Sequence, residues 1–144
     1  MNKKILGIVV VLLAAAMLAT SIGGVLARPF YKDISLEKTY SMIFIEDHPE
    51  LLVIDIRPPT GSPFAYDQGH IPGAINVPSA TLSAWITGEG LNHLNDKIIV
   101  NCYLGIGSPG AAQTLIDAGF KKVYSMDGGY NAWVAAGYPT TPPV

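Results

Sequence analysis

The sequence predicts an α/β domain, with a mainly parallel central sheet of about five strands and helices on both faces. Three observations carry this. Leu51-Leu52-Val53-Ile54-Asp55-Ile56 and Lys97-Ile98-Ile99-Val100-Asn101 are short, β-branched and almost wholly apolar, the pattern of strands covered on both sides. Segments with apolar residues at helical spacing separate the strand-like runs. Pro and Gly clusters mark the boundaries, and neither a repeat nor a low-complexity tract interrupts Arg28 to Val144.

Taken in order, Ile34-Ser35 is a short entry strand, and Leu36 to Ile45 is a helix with Leu36, Tyr40, Ile43 and Phe44 on one stripe behind a Ser35 cap. The 51–56 run is a central strand, followed by a loop rich in turn formers: Pro58, Pro59, Gly61 and Pro63. Ala74-Ile75-Asn76-Val77 is a third strand, and Ser79 is placed to cap a helix containing Leu82, Trp85 and Ile86. The 97–101 strand ends at Cys102. Beyond a loop at 102–107, Ser108 is expected as cap and Pro109 as first helical residue, with Ala111, Ala112, Leu115 and Ile116 buried and Gly119 as terminator. Val123 to Met126 is the last strand, and Tyr130 to Ala136 a last helix closed by Gly137. Trp85 and Trp133 fall on helical stripes and are expected in the core. Residues 139–144, opening Pro139-Thr140-Thr141-Pro142-Pro143, form a stiff exit tail.

Charge and cysteine content exclude several functions. Nine Lys and Arg against eleven Asp and Glu provide no basic field for nucleic acid. Cys102 stands alone, which rules out an internal disulfide and any thiolate-rich zinc or iron–sulfur site within one chain. It is a buried space-filler, a reactive thiol or an intermolecular link. His48 and His93 lack an i, i+4 partner, so no metal site is expected.

Residues 1–27 carry much of the apolar excess. Lys3 and Lys4 precede an uncharged run from Ile5, and Val25-Leu26-Ala27 offers small residues where a signal peptidase reads. A cleaved signal peptide is one reading. The other is an uncleaved anchor over 5–27, since roughly 20 such residues span a bilayer. Either places the domain outside the cytoplasm, secreted or periplasmic, or membrane-held and facing outward, with Lys3 and Lys4 on the cytoplasmic side. Removal of the leader leaves seven basic residues against eleven acidic ones.

Loops at the carboxyl ends of parallel strands are where open α/β sheets bind ligands. Cys102-Tyr103-Leu104-Gly105-Ile106-Gly107-Ser108 is such a loop, running from a strand into a helix N-terminus. Its backbone N–H groups can converge on the sulfur, where the helix dipole also favours an anion. Gly105 and Gly107 allow the backbone conformations, positive φ included, that wrapping a loop around one atom requires.

Asp55-Ile56-Arg57, then Tyr66-Asp67-Gln68-Gly69-His70-Ile71-Pro72-Gly73-Ala74-Ile75-Asn76-Val77-Pro78, then the cysteine loop, then Met126-Asp127-Gly128-Gly129-Tyr130-Asn131-Ala132-Trp133 resemble, in order and spacing, the successive signatures of a rhodanese-like domain. The resemblance spans residues 34–138. It implies a rhodanese-like fold in which Cys102 accepts a sulfane sulfur as a persulfide and hands it to a thiol or other nucleophile, without a cofactor. The amides of Tyr103, Leu104, Gly105, Ile106, Gly107 and Ser108 would cradle the anion. Asp55 and Arg57 would pair or anchor the site rim, and His70 would serve the fold rather than proton transfer. The six-residue loop has the length found in sulfur-transferring members. A related phosphatase group carries a longer loop with Arg six positions after Cys, where this sequence has Ser108.

Two departures stand out. Sulfurtransferases of this kind usually hold Arg or Lys in the loop, most often where Gly107 stands, and this loop has no cation. Losing a charge-assisted contact of ~1.5–3 kcal/mol disfavours dianionic thiosulfate by one to two orders of magnitude, so a polysulfide or low-molecular-weight persulfide is the expected donor. The stretch Pro58 to Ala65 is also longer than usual and is expected at the site rim. The expected activity is therefore sulfur transfer or carriage by Cys102, with a thiol or an acceptor protein as recipient. A non-catalytic binding module is the alternative. A redox sensor is a third reading, limited by the lone cysteine to mixed or intermolecular disulfides.

Overall fold

The computed structural model describes residues 30–143. The leader at 1–27 lies outside the described residues, and among those described no helix is long and apolar enough to cross a membrane. Strands β1 (Lys32–Ile34), β2 (Leu51–Asp55), β3 (Ile75–Asn76), β4 (Lys97–Asn101) and β5 (Lys122–Met126) form one parallel sheet in the order β1-β5-β4-β2-β3. Among the described residues four α-helices connect or follow them: α1 (Leu36–Phe44), α2 (Leu82–Thr87), α3 (Ser108–Asp117) and α4 (Gly129–Ala135).

The pleat explains why β2 and β4 are apolar throughout. Ile98 and Val100 point to one face with Ile54, where α2 packs through Leu82 and Ile86, and α3 through Ala112, Leu115 and Ile116. Ile99 and Val53 point to the other, against Met42 of α1 and Tyr130 and Trp133 of α4. Ile54, Ile98, Ile99 and Val100 are completely buried. Each contributes about 1.5–3 kcal/mol of transfer free energy, so truncating any of the three isoleucines to Ala costs about 2–5 kcal/mol.

Local signals account for the ends of α1. Ser35 Oγ accepts from Lys38 N at 3.2 Å, and Glu37 sits favourably in the first turn. Because Ser35 is committed to this cap, the entry strand lies earlier than expected, at Lys32–Ile34.

Two cap expectations are overturned. Ser79 opens a 3₁₀ turn (Ser79–Thr81) after Pro78, and α2 begins only at Leu82 with no side-chain cap. The Ser79 N–H is drawn to the Ile56 carbonyl at 3.0 Å, which holds this residue to the end of β2. Ser108 is the first residue of α3 rather than its cap, a place taken by Gly107, and its buried hydroxyl faces inward. Trp133 is fully buried and donates to the Pro139 carbonyl, whereas Trp85 is only half-buried, stacked between His93 and Phe120.

Residues 139–141 turn back against the domain. Thr141 and His70 exchange backbone hydrogen bonds, with Thr141 N to His70 O at 2.8 Å.

Candidate active site

The sheet order brings the ends of β2, β3 and β4 side by side, with Asp55 in register with both Asn76 and Asn101. Cys102 follows directly on β4 and is half-buried. Its Sγ lies 3.9 Å from Ser108 Oγ. That hydroxyl donates to Gly105 O at 3.3 Å and accepts from Ser125 Oγ at 3.2 Å, so a buried pair of hydroxyls backs the thiol.

Among the described residues, no backbone carbonyl accepts from the N–H groups of Tyr103, Leu104, Gly105, Ile106 or Gly107. These N–H groups belong to the loop that runs from Cys102 into α3. The loop carbonyls, by contrast, are occupied: Tyr130 N donates to Cys102 O at 2.8 Å and Asn131 N to Tyr103 O at 2.9 Å. The first turn of α4 thus holds the loop from behind. This contact explains the Gly128-Gly129 pair. A Cβ on Gly129 would fall 2.4 Å from Gly105 N and 2.6 Å from Cys102 O, and Gly129 has φ +64°. Gly105 is at φ +77°, as wrapping the loop demands, but Gly107 sits at φ −86°, ψ −26°, in the ordinary right-handed helical region. Of the two glycines that allow such conformations, Gly105 alone takes up positive φ: the reversal is completed there, and Gly107 already serves as the N-cap of α3.

Arg57 and Asp55 form a buried ion pair, with Nη2 to Oδ2 at 2.7 Å and side-chain exposures of 3% and 0%. The remaining guanidinium donors go to the carbonyls of Ala65 at 3.2 Å and Gly69 at 2.8 Å, and the Tyr130 ring covers the group at 4.1 Å. Asn101 Nδ2 donates to Asp55 Oδ2 at 3.1 Å, and Asn76 Nδ2 to the Asp55 and Arg57 carbonyls. Arg57 is thus engaged by protein on every side, and it ties the 58–65 stretch down beside the cysteine loop. Burial pushes the Tyr130 phenol up, against an opposing pull from Arg57. His70 stacks on Tyr66 at 3.8 Å, with Nδ1 3.3 Å from the Tyr66 carbonyl, and does not line the cavity at Cys102.

That cavity has a volume of about 720 Å³. Cys102, Ile56, Phe64, Leu82, Leu104 and Ile106 form much of its wall, and Arg57 is its one cation among the described residues. The long stretch after Arg57 contributes Pro58 and Phe64, whose ring meets Tyr103 at 4.5 Å. Sequence reasoning did not anticipate Ile56, Leu82, Ala111 and Thr114 as cavity wall, nor Ser125 behind the sulfur. Only the strand order could have revealed Ser125, because it stands beside Val100 in the β4–β5 register. No group of three or more His, Cys, Asp or Glu suited to hold a metal occurs among the described residues.

A half-buried thiol thus stands at the carboxyl end of the central strand of a parallel sheet, in a loop whose N–H groups have no backbone acceptor among the described residues. The model of the rhodanese-like domain matches residues 37–136, and the chain belongs to that family. The thiosulfate sulfurtransferase GlpE of Pseudoalteromonas translucida is 37% identical over 106 residues, covering 74% of this chain and 91% of its own length. Among solved structures, a protein of unknown function from Rhodopseudomonas palustris, described as a possible tyrosine phosphatase, matches with TM-score 0.67 at 26% identity, over 77% of this chain and 85% of that one. A thiosulfate sulfurtransferase from Pseudomonas aeruginosa matches with TM-score 0.63 at 26% identity, over 81% of this chain and 20% of that longer chain. These likenesses place the chain in a family of sulfurtransferases.

Proposed function

We propose that the protein takes up sulfane sulfur as a Cys102 persulfide and passes it to a thiol or other nucleophile, with a polysulfide or small persulfide preferred to thiosulfate as donor. The observation that carries this reading is the half-buried thiol facing a cavity whose only cation among the described residues is already engaged by Asp55 and backbone carbonyls. In the first step the Cys102 thiolate attacks the terminal sulfane sulfur of the donor, the donor S–S bond breaks, and the shortened polysulfide leaves with the electron pair. In the second, an acceptor thiolate attacks the outer sulfur of the persulfide and Cys102 departs as thiolate. As sulfur charge develops, the loop amides face it, and the Ser108 hydroxyl can turn its proton from Gly105 O to Sγ.

The name of the Pseudoalteromonas relative supports the transfer chemistry, while the uncharged loop sets the donor preference. The same lack of a free cation argues against a phosphate dianion as substrate, despite the description of the Rhodopseudomonas protein. The acceptor is a small thiol or an acceptor protein, and the acidic balance of the chain disfavours nucleic acid. The charged and apolar leader supports a location outside the cytoplasm, with membrane attachment only through residues 5–27 if these are retained. Intact-mass measurement after parallel exposure to polysulfide, glutathione persulfide and thiosulfate tests the chemistry. One added sulfur, located at Cys102 and strongest with the first two donors, is the expected result. No added sulfur with any donor would identify a binding module instead.

A further inference from the structure

We propose that the cavity over Cys102 is a subsite for the carbon skeleton of an apolar organic thiol, entering as acceptor RSH or, in the reverse sense, as donor persulfide RSSH. This rests on the sulfur-transfer reading of Cys102 and names the substrate class that the site selects. An inorganic donor of a few atoms needs charge-assisted contacts and little room. The site offers the opposite: about 720 Å³ of space, within the range of roughly 300–1,000 Å³ typical of pockets for small organic ligands, and walls that are mostly hydrocarbon.

Three large apolar side chains are left in water at one mouth. Phe64 is 51% exposed, Leu104 53% and Ile106 81%. All three line the cavity that contains the nucleophile. Beneath them, Ile56 and Leu82 continue the apolar surface inward. The volume and the hydrocarbon walls suit a small molecule. An R group resting on these walls leaves its sulfur beside Sγ, with the loop amides facing the reacting atoms.

The step balances without a redox partner. The acceptor thiol releases its proton to solvent and its thiolate attacks the outer sulfur of the Cys102 persulfide. The Cys–S to sulfane-sulfur bond breaks, RSS⁻ forms and Cys102 leaves as thiolate. The sulfane sulfur keeps its oxidation state.

The experiment uses the full chain, charged with polysulfide, with persulfide on Cys102 confirmed by intact mass. Discharge is then followed with ethanethiol, propanethiol, butanethiol and hexanethiol, and with 2-mercaptoethanol as the polar reference, at matched thiolate concentrations. The expected result is a kcat/KM that rises roughly fourfold for each buried methylene until the cavity is filled. In Leu104→Ser/Ile106→Ser the ratio of hexanethiol to 2-mercaptoethanol should fall at least tenfold. Both side chains are exposed, so unchanged thermal unfolding will verify that the variant folds. Equal kcat/KM for all the thiols, or an unchanged ratio in the double variant, would overturn the proposal and leave the apolar mouth to a protein partner. Binding of hexanol to Cys102→Ser, read from amide shifts of the 102–108 loop, checks the subsite without sulfur chemistry. Loss of that binding sinks the subsite, whereas failure to load Cys102 with sulfur sinks the transfer reading alone.

Discussion

Gly107→Arg separates donor choice from the presence of a working nucleophile. The position is built to accept a side chain: its backbone is right-handed at φ −86°, so a Cβ meets no left-handed strain. That Cβ would lie 3.8 Å from Cys102 Sγ and 3.6 Å from Ile56 Cδ1, both ordinary contacts. An arginine rooted there reaches a dianion bound at the sulfur and restores a contact of ~1.5–3 kcal/mol, which corresponds to roughly ten- to hundredfold in thiosulfate kcat/KM. Polysulfide turnover should change much less. The cation also faces the N-terminal end of the α3 dipole, at about 0.3–1 kcal/mol of stability, so Gly107→Ala and Gly107→Gln are the controls for side-chain bulk and length. Sulfite release from thiosulfate and sulfide release from polysulfide are measured side by side on each variant. The reasoning fails if Gly107→Arg gains nothing over Gly107→Gln with thiosulfate, or if the wild type already uses thiosulfate as well as polysulfide.

Cys102→Ser should abolish protein-bound sulfane sulfur while shifting the thermal midpoint only slightly, because the residue is half-buried; a loss of about 2 kcal/mol or more would mark the cysteine as a packing residue. Gly129→Ala should destabilise the domain by more than about 2 kcal/mol in denaturant titration, since φ +64° is combined with a 2.4 Å approach to Gly105 N. Gly73→Ala, at φ +79° with open space around it, should show only the conformational part, about 1–2 kcal/mol. Glu46 is held down to about 2 from 4.5 by hydrogen bonds from Lys38 above all, then Ser41 and His48. Its stabilising contribution is therefore complete above pH 4.5 and lost as pH falls toward 2. Glu46→Gln should be less stable than wild type at neutral pH, and the two unfolding midpoints should converge in acid; a gap that persists at the acid end refutes this.

The fold was legible where burial dictates composition. Strands such as Ile98-Ile99-Val100 must be apolar on both faces because helices cover both, and no other element leaves that pattern in so few residues. Cys102 was locatable for the same reason, since it follows the central strand at the end where loops enter helices. Ser79 and Ser108 show the limit of cap signals. Each is a good N-cap residue by type, yet one is tied by its N–H to Ile56 and the other spends its hydroxyl on Gly105 and Ser125. Such competition between tertiary and local partners leaves no trace in spacing. The cavity wall was hidden likewise, because Ile56, Phe64, Leu82 and Ile106 come together only through the sheet order.

The missing loop cation and the apolar mouth act in the same direction. A dianion entering between Phe64, Leu104 and Ile106 gives up water on its way to the sulfur, and among the described residues no free cation lines the cavity to compensate it. The guanidinium of Arg57 cannot take that part, for moving it would strip Asp55, wholly buried, of its partner, a change of about 3–5 kcal/mol. On the proposed chemistry the loop amides remain to meet charge that develops on the reacting sulfur atoms, without supplying a net positive charge to a whole anion. A neutral or singly charged sulfur species with a hydrocarbon body loses little on entry and gains contact with the walls. Donor charge and carbon surface therefore act on a single equilibrium, the transfer from water into the cavity, and the uncharged Gly107 and the exposed Ile106 both tilt it toward the same class of molecule.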